Sequence, residues 1–362
     1  MATPYGLGPG FSRDPIPHWG TPTNYGALQR ENISQRFPST CEWVLASKEY
    51  RDWLHGQDHT LFCPGEPGVG KTILAAAVIQ DLQGLDGPMI GVAYIYFSTL
   101  QAGEQDLQNL VFNLLKQLVP GLRVIPFYLE KMIDGKHEIP SVRQILEALH
   151  ATVKLYSQVF VVLDALDECQ AGSRTALLRE ILVLQSMFQT KIFLTSRFDP
   201  DIITFDALIL QIRAHEADLR RFAAGKLFLL LSLIEGVTNV HEEILSKVVE
   251  SANGNFLLGK LHLDSLLSQR SSQGLQSAFA KLSSGPEAHK RAYDNAMERI
   301  TSQSRERVDL ARRVLAWLSR TRCQLTIIEV QDALATELGS SNVYQDNLPQ
   351  AVDIVLACCG LV

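Results

Sequence analysis

The sequence has no C-x-x-C pair among its 6 cysteines, Cys41, Cys63, Cys169, Cys323, Cys358 and Cys359. Zinc ribbons, zinc knuckles and thioredoxin-type redox sites all need that spacing, so none is expected. Basic residues are not in excess either: 33 Lys and Arg face 39 Asp and Glu, a net charge of −6. That balance excludes a generally basic nucleic-acid coat. The longest strongly apolar run, Leu227 to Ile234, is far short of the roughly 20 residues a membrane helix needs, so no membrane span is expected. The N-terminus, MATPYGLGPGFSRDP, lacks the basic start and apolar core of a secretory signal. A G-x-S-x-G nucleophile elbow is absent, which removes lipase-type hydrolysis. No internal repeat occurs at a solenoid period.

What remains is the composition of a globular protein with a sizeable core. Of 362 residues, 46% are hydrophobic and 20% charged, and the length predicts two to three domains. Without an export signal, the cysteines read as reduced, mostly buried thiols, and a cytoplasmic location follows from them.

Residues 1–32 are rich in glycine, proline and polar groups and read as a flexible leader. Ser39-Thr40-Cys41-Glu42 has the spacing of a capping box, and Trp43, Ala46, Tyr50, Trp53 and Leu54 follow at helical spacing. Short apolar runs at 60–63, 89–97, 159–163, 191–195 and 208–212 read as strands. Helical patterns separate them, including the almost wholly apolar Thr72–Leu82, and breaks fall at Pro120-Gly121, Gly135 and Pro140. Alternation of this kind predicts an α/β fold with a parallel sheet and flanking helices. After about residue 215 the strand signal stops, and helices are predicted at about 216–235, 240–252, 255–268, 290–302 and 304–320.

Gly65-Glu66-Pro67-Gly68-Val69-Gly70-Lys71-Thr72 matches G-x-x-x-x-G-K-[ST] at every fixed position. The match lies between a predicted strand and a predicted helix, as a phosphate loop requires. Backbone N–H groups of such a loop and the following helix N-terminus form an anion site. Lys71 can reach the β- and γ-phosphates, and the Thr72 hydroxyl can ligate Mg2+. The apolar run Phe160–Leu163 ends in Asp164, where the carboxyl end of a strand would set it beside the loop as a second Mg2+ ligand. Asp167 and Glu168 follow, and one of them could polarise a water for γ-phosphate hydrolysis, Glu168 being preferred. The alternative is that both cap the next helix. Arg197, after the strand Lys191–Thr195, could sense the γ-phosphate, or form a salt bridge at the rim.

These phrases, STCEW, LFCPGEPGVGKTILAAAVI, VVLDALDE and KIFLTSR, resemble the NACHT NTPase domain. They are similar in particular to the nephrocystin-3-like N-terminal NACHT module of large fungal proteins, which ankyrin repeats often follow. Ala165 after the metal aspartate and the extra acids Asp167 and Glu168 fit that pattern. Asn253-Gly254-Asn255-Phe256-Leu257-Leu258 resembles the family's turn in the helical domain, although the proline many relatives place against adenine is absent. Residues 312–335 resemble the winged-helix domain of the GPI-inositol-deacylase type, and Cys358–Val362 a core strand of it. The resemblance implies a NACHT domain over 33–214, a helical domain over 215–288 and a winged-helix-like domain over 289–362. It further implies a signalling NTPase of the STAND class that binds ATP or ADP (GTP being the alternative) with Mg2+, hydrolyses slowly, and engages protein partners or itself. A non-hydrolysing, nucleotide-bound scaffold for partner-binding repeats is the competing expectation.

Between residues 290 and 322 there are nine Lys and Arg against four acids. Beside a winged helix this raises DNA binding, but the acidic chain argues for the solvated faces of two helices, with Val308, Ala311, Val314, Leu315 and Leu318 as a buried stripe. Nucleic acid is not an expected partner. Thr326–Glu329 has capping-box spacing. The apolar end, Ile354–Val362, is expected to be buried or to mark a shortened chain.

Overall fold

The computed structural model describes residues 23–87, 89–122, 126, 129, 140–197, 207–231, 238–269, 272–282, 287–321, 325–336, 348–359 and 361. The expected break at Gly135, the thiol of Cys323 and most of the expected leader lie outside them. The chain divides into two compact units, Met1–Gly65 with Lys71–Ile212, and Glu66–Gly70 with Arg213–Val362.

The first unit is built on a parallel sheet. Strands β1 (Thr60–Pro64), β2 (Ile90–Tyr96), β3 (Gln158–Asp164), β4 (Thr190–Ser196) and β5 (Leu208–Ile209) lie in the order β2-β3-β4-β1-β5. Every residue of β1 and β4 is buried, and all but the first of β3. Continuous apolar runs rather than alternating ones are what a sheet covered on both faces requires. Helix α4 (Lys71–Gln83) buries Leu74 to Ile79 without interruption, plus Leu82. A helix that is apolar on every side over Leu74–Ile79 has no solvent face there, so its place inside the unit follows from its sequence.

Three local expectations fail near the N-terminus. Residues 25–32, expected in a loose leader, belong to helix α1 (Tyr25–Gln35). The Gln29 amide donates to Ala76 O at 2.9 Å and accepts from the Tyr96 hydroxyl, tying α1 to α4 and β2. The capping box at Ser39–Glu42 does not form, because Ser39 and Cys41 take left-handed backbone angles (φ 58° and 66°) and no side chain caps α2 (Glu42–Leu45). The apolar face then restarts after Ser47, which caps α3 (Lys48–His55). Val44, Tyr50 and Trp53 are buried, whereas Ala46 is exposed. Trp53 lies edge-on to Phe160 and Phe193 at 5.5 and 6.0 Å.

Helices α5 (Leu107–Leu118), α6 (Val142–Val153) and α7 (Ala171–Met187) complete the first unit. A capping box that the sequence reading passed over, Ser141 with Gln144, starts α6.

The second unit is helical beyond residue 215, in α8 (Glu216–Leu231), α9 (Thr238–Ala252), α10 (Phe256–Leu267), α11 (Ser272–Lys281), α12 (Ala288–Thr301), α13 (Arg305–Arg320), α14 (Ile327–Ala335) and α15 (Ala351–Ala357). One apolar cluster joins α8 to α11 through Leu227, Val248, Leu263 and Ala278. Another joins α12 to α15 through Ile300, Val314, Leu334 and Ile354. The capping box at Thr326–Glu329 forms. Within the expected stripe of α13, Ala311 and Val314 are fully buried and the other three half-buried. Two of the nine basic residues serve the packing: Arg299 donates to Cys359 O at 3.3 Å, and Arg313 to Leu334 O. Cys358, expected in a strand, instead ends α15 and is buried in the second cluster. Among the described residues no helix is long and apolar enough to cross a membrane.

Candidate functional site

Parallel pairing sets four strand ends level. Pro64 of β1 faces Ser196 of β4, Leu163 of β3 faces Leu194, and Asp164 faces Tyr96 of β2. Carboxyl ends of strands in an open α/β sheet are where ligands bind. The loop leaves β1 at Gly65, whose N–H donates to Ser196 O at 3.1 Å. Gly68 and Gly70 have φ of +82° and +97°, values that glycine takes without strain and other residues do not. The Lys71 ammonium donates to Gly65 O at 2.7 Å, and α4 starts at that lysine, so its unpaired N–H groups open toward the loop.

Asp164 is 2% exposed, and its two oxygens are both engaged. Thr72 Oγ1 donates to Oδ2 at 2.8 Å and Thr195 Oγ1 to Oδ1 at 2.7 Å. Thr195 also accepts from the N–H of Ala165 at 2.9 Å. Ala165 sits in the left-handed region (φ 56°, ψ 46°), a conformation that costs a non-glycine residue about 1–2 kcal/mol. The Thr195 hydroxyl therefore fixes both the carboxylate and the strained peptide behind it. Sequence reasoning missed Thr195. The signal was a hydroxyl residue directly before Ser196-Arg197, at the end of a strand that proves to lie between β1 and β3.

Burial pushes the Asp164 carboxyl above the usual aspartate range, while the Thr195 and Thr72 hydroxyls and the Lys71 ammonium pull it back, and Glu168 adds to the rise. The donor set fits Mg2+: a threonine hydroxyl and a carboxylate are hard oxygens, and Mg2+ takes few protein ligands, filling its shell with water and phosphate. Among the described residues no cluster of three or more His, Cys, Asp or Glu could hold a metal by itself.

The native state binds the Asp164 proton more tightly than the unfolded chain does. Its carboxylate thus costs stability above the raised folded value, and that stability returns as pH falls through it. Asp164→Asn, which removes the charge that burial disfavours, is expected to raise the melting temperature of the protein measured without nucleotide. The same change should abolish the Mg2+ dependence of nucleotide binding. Calorimetric scans and Mg2+ titrations of the variant check both signs, and a melting point that drops would contradict the assignment.

Asp167 and Glu168 lie in a 3-10 turn, Leu166–Glu168. Asp167 faces the end of β4: its Oδ1 accepts from Arg197 N at 3.0 Å and from Ser196 Oγ at 3.2 Å, and its Oδ2 pairs with Arg197 Nε at 3.2 Å. Arg197 is thus brought to Asp167, with its side chain 61% exposed. Glu168 Oε2 accepts a backbone N–H, from Thr99 at 3.2 Å. Among the ion pairs of described residues, Asp167 has a cation and Glu168 has none.

Residues 39–197 match the family model described as Nephrocystin 3, N-terminal. The chain is 24% identical over 340 residues to vegetative incompatibility protein HET-E-1 of Podospora anserina, covering 88% of this chain and 24% of that protein. It therefore spans about a quarter of the length of that relative. Solved structures resemble it more distantly. Drosophila ORC bound to DNA gives a TM-score of 0.43 at 15% identity over 97% of this chain and 96% of that one. Cdc6p from Pyrobaculum aerophilum gives 0.41 at 13% identity over 86% and 83%. The parallel sheet, the loop at its β1 end and the match over 39–197 make this chain similar to NACHT-like P-loop NTPases, nucleotide-binding modules, and to the nephrocystin 3 N-terminal family in particular.

Proposed function

We propose that the chain is the nucleotide-switched module of a STAND-type signalling protein, acting in the cytoplasm. In this reading 33–214 is the NACHT domain, 215–288 a helical domain and 289–362 a winged-helix-like domain. The loop Gly65–Thr72 holds the phosphates of ATP or ADP, with GTP the alternative. The observation that carries the reading is the Thr72–Asp164–Thr195 constellation, which joins the start of α4 to the ends of β3 and β4. A phosphate loop alone binds an anion. A buried carboxylate held by two hydroxyls beside the loop's threonine is what a Mg2+-bound triphosphate needs.

Thr72 and Asp164 would hold Mg2+, which when bound neutralises phosphate charge. Lys71 exchanges its bond to Gly65 O for phosphate oxygens. Glu168 orients and deprotonates a water for slow hydrolysis. Asp167 holds Arg197 at the end of β4, where Arg197 can leave the carboxylate for a γ-phosphate. Protein partners, or further copies of the chain, receive the signal.

Turnover separates this reading from a static nucleotide-bound scaffold. Glu168→Gln is expected to bind ATP like the parent and to hydrolyse it about a hundredfold more slowly, the usual contribution of a general base. Asp167→Asn should leave hydrolysis closer to normal and free Arg197. Loss of hydrolysis in Asp167→Asn alone would reverse the two roles. Absence of hydrolysis in the parent, with ADP or ATP still bound after purification, would favour the scaffold.

A further inference from the structure

The tip of the phosphate loop, Glu66–Gly70, belongs to the same compact unit as the helices beyond residue 213. There it meets the turn that starts α10. Asn253 and Gly254 are consecutive left-handed residues (φ 46° and 79°), and the turn is closed by bonds from Asn255 N to Ala252 O and from Ala214 N to Gly254 O, at 2.9 and 2.8 Å. Asn255 follows, 8% exposed. Its Oδ1 accepts from Leu258 N at 3.0 Å, which caps α10. Its Nδ2 donates to Pro67 O at 2.8 Å, and Leu257 N donates to Gly68 O at 2.9 Å. A side-chain amide has one acceptor and one donor end, and both are used here.

The loop is shaped for this contact. A Cβ on Gly68 would fall 2.8 Å from both Asn255 Oδ1 and Leu257 Cβ. The G-x-x-x-x-G-K-[ST] pattern leaves position 68 open to any residue. Glycine at that position therefore answers to the turn as well as to the loop's own backbone angle.

We propose that Asn255 is a positioning residue for the phosphate loop: one side chain caps α10 and holds the loop backbone at Pro67, so that nucleotide in the loop is felt by α10. The inference rests on the reading that the loop binds nucleotide. It assigns the loop's support to two hydrogen bonds from consecutive turns of chain, Asn255 and Leu257, rather than to contact with the base.

The two ends of the amide can be separated. Asn255→Ser keeps a good helix cap but is too short to reach Pro67 as well, whereas Asn255→Ala loses both functions. Asn255→Ser is expected to melt slightly below the parent, by the loss of one buried hydrogen bond, and Asn255→Ala lower still. Its affinity for Mg-ADP, measured by calorimetry, should fall about three- to tenfold, the worth of one buried hydrogen bond. In the parent, ADP should slow hydrogen exchange at the Leu257 and Leu258 amides, and in Asn255→Ser that slowing should be mostly lost. A merely structural asparagine would change the melting point without changing how exchange responds to ADP. Parent-like affinity and ADP-dependent exchange in Asn255→Ser would overturn the role of Asn255 while leaving the nucleotide reading intact. A parent protein that binds no ADP, or a Lys71→Ala variant that binds it as well as the parent, would overturn both.

Discussion

Lys71→Ala is expected to weaken ATP and ADP binding at least about tenfold. Charge-assisted hydrogen bonds contribute about 1.5–3 kcal/mol each, and every 1.4 kcal/mol is a factor of ten. The ammonium lies against Gly65 O at 2.7 Å, at the first residue of the loop. That bond is exchanged for phosphate oxygens, which sets the net contribution toward the lower end of that range. Alanine preserves the start of α4, where a good helix former is tolerated, and the melting temperature should stay close to the parent's. Calorimetric titration with both nucleotides checks the prediction. Unchanged affinity would remove the phosphate-loop assignment.

Lys191→Ala is expected to cost about 3 kcal/mol of stability without any direct effect on nucleotide. Lys191 is 5% exposed on β4, and its ammonium donates to the carbonyls of Trp53, Leu54 and Gly56, the last two at 3.4 and 2.8 Å. These are the C-terminal carbonyls of α3, which have no partner within the helix and carry its negative dipole end. Truncation leaves them unpaired and opens a void beside Trp53. Burial lowers the Lys191 pKa from the ordinary lysine value, so the unfolded chain holds this proton more tightly. Its contribution to stability then rises with pH between the lowered folded value and the ordinary one. Urea denaturation of Lys191→Ala and Lys191→Met tests the assignment. Methionine should recover part of the loss by filling the void, but not the part that belongs to the carbonyls.

The elements whose residues interact along the chain were legible in the sequence. The apolar runs at β1, β3 and β4 and the all-round apolar α4 mark buried positions whatever their neighbours are. The loop Gly65–Thr72 is a local motif whose geometry follows from its glycines. Errors came where a local pattern met a competing contact, near or distant. Ser39–Glu42 has the letters of a capping box, but Arg36 reaches forward to Thr40 O at 2.9 Å and the turn takes left-handed angles instead. Residues 25–32 looked like leader because their composition is polar, and only the bonds from Gln29 to Ala76 and Tyr96 give them a fixed place. Cys358 was expected in a strand because Cys358–Val362 resembles a core strand of the winged-helix domain. It ends a helix because Ile354 and Ala357, at helical spacing, enter the same cluster.

By itself the sequence determined that a strand, a phosphate loop and a buried helix follow one another, and that an acidic residue ends a second apolar strand. Those features need only neighbours within a few residues. Tertiary structure alone decided which groups those features meet. Placing β4 between β1 and β3 brings Thr195 onto Asp164, 31 residues away, and Asp167 onto Arg197. Asn255 reaches Pro67 across 188 residues. Single hydroxyls, amides and carboxylates leave no periodic trace in a sequence, because their roles depend on hydrogen-bond partners whose positions are set by strand order and helix packing.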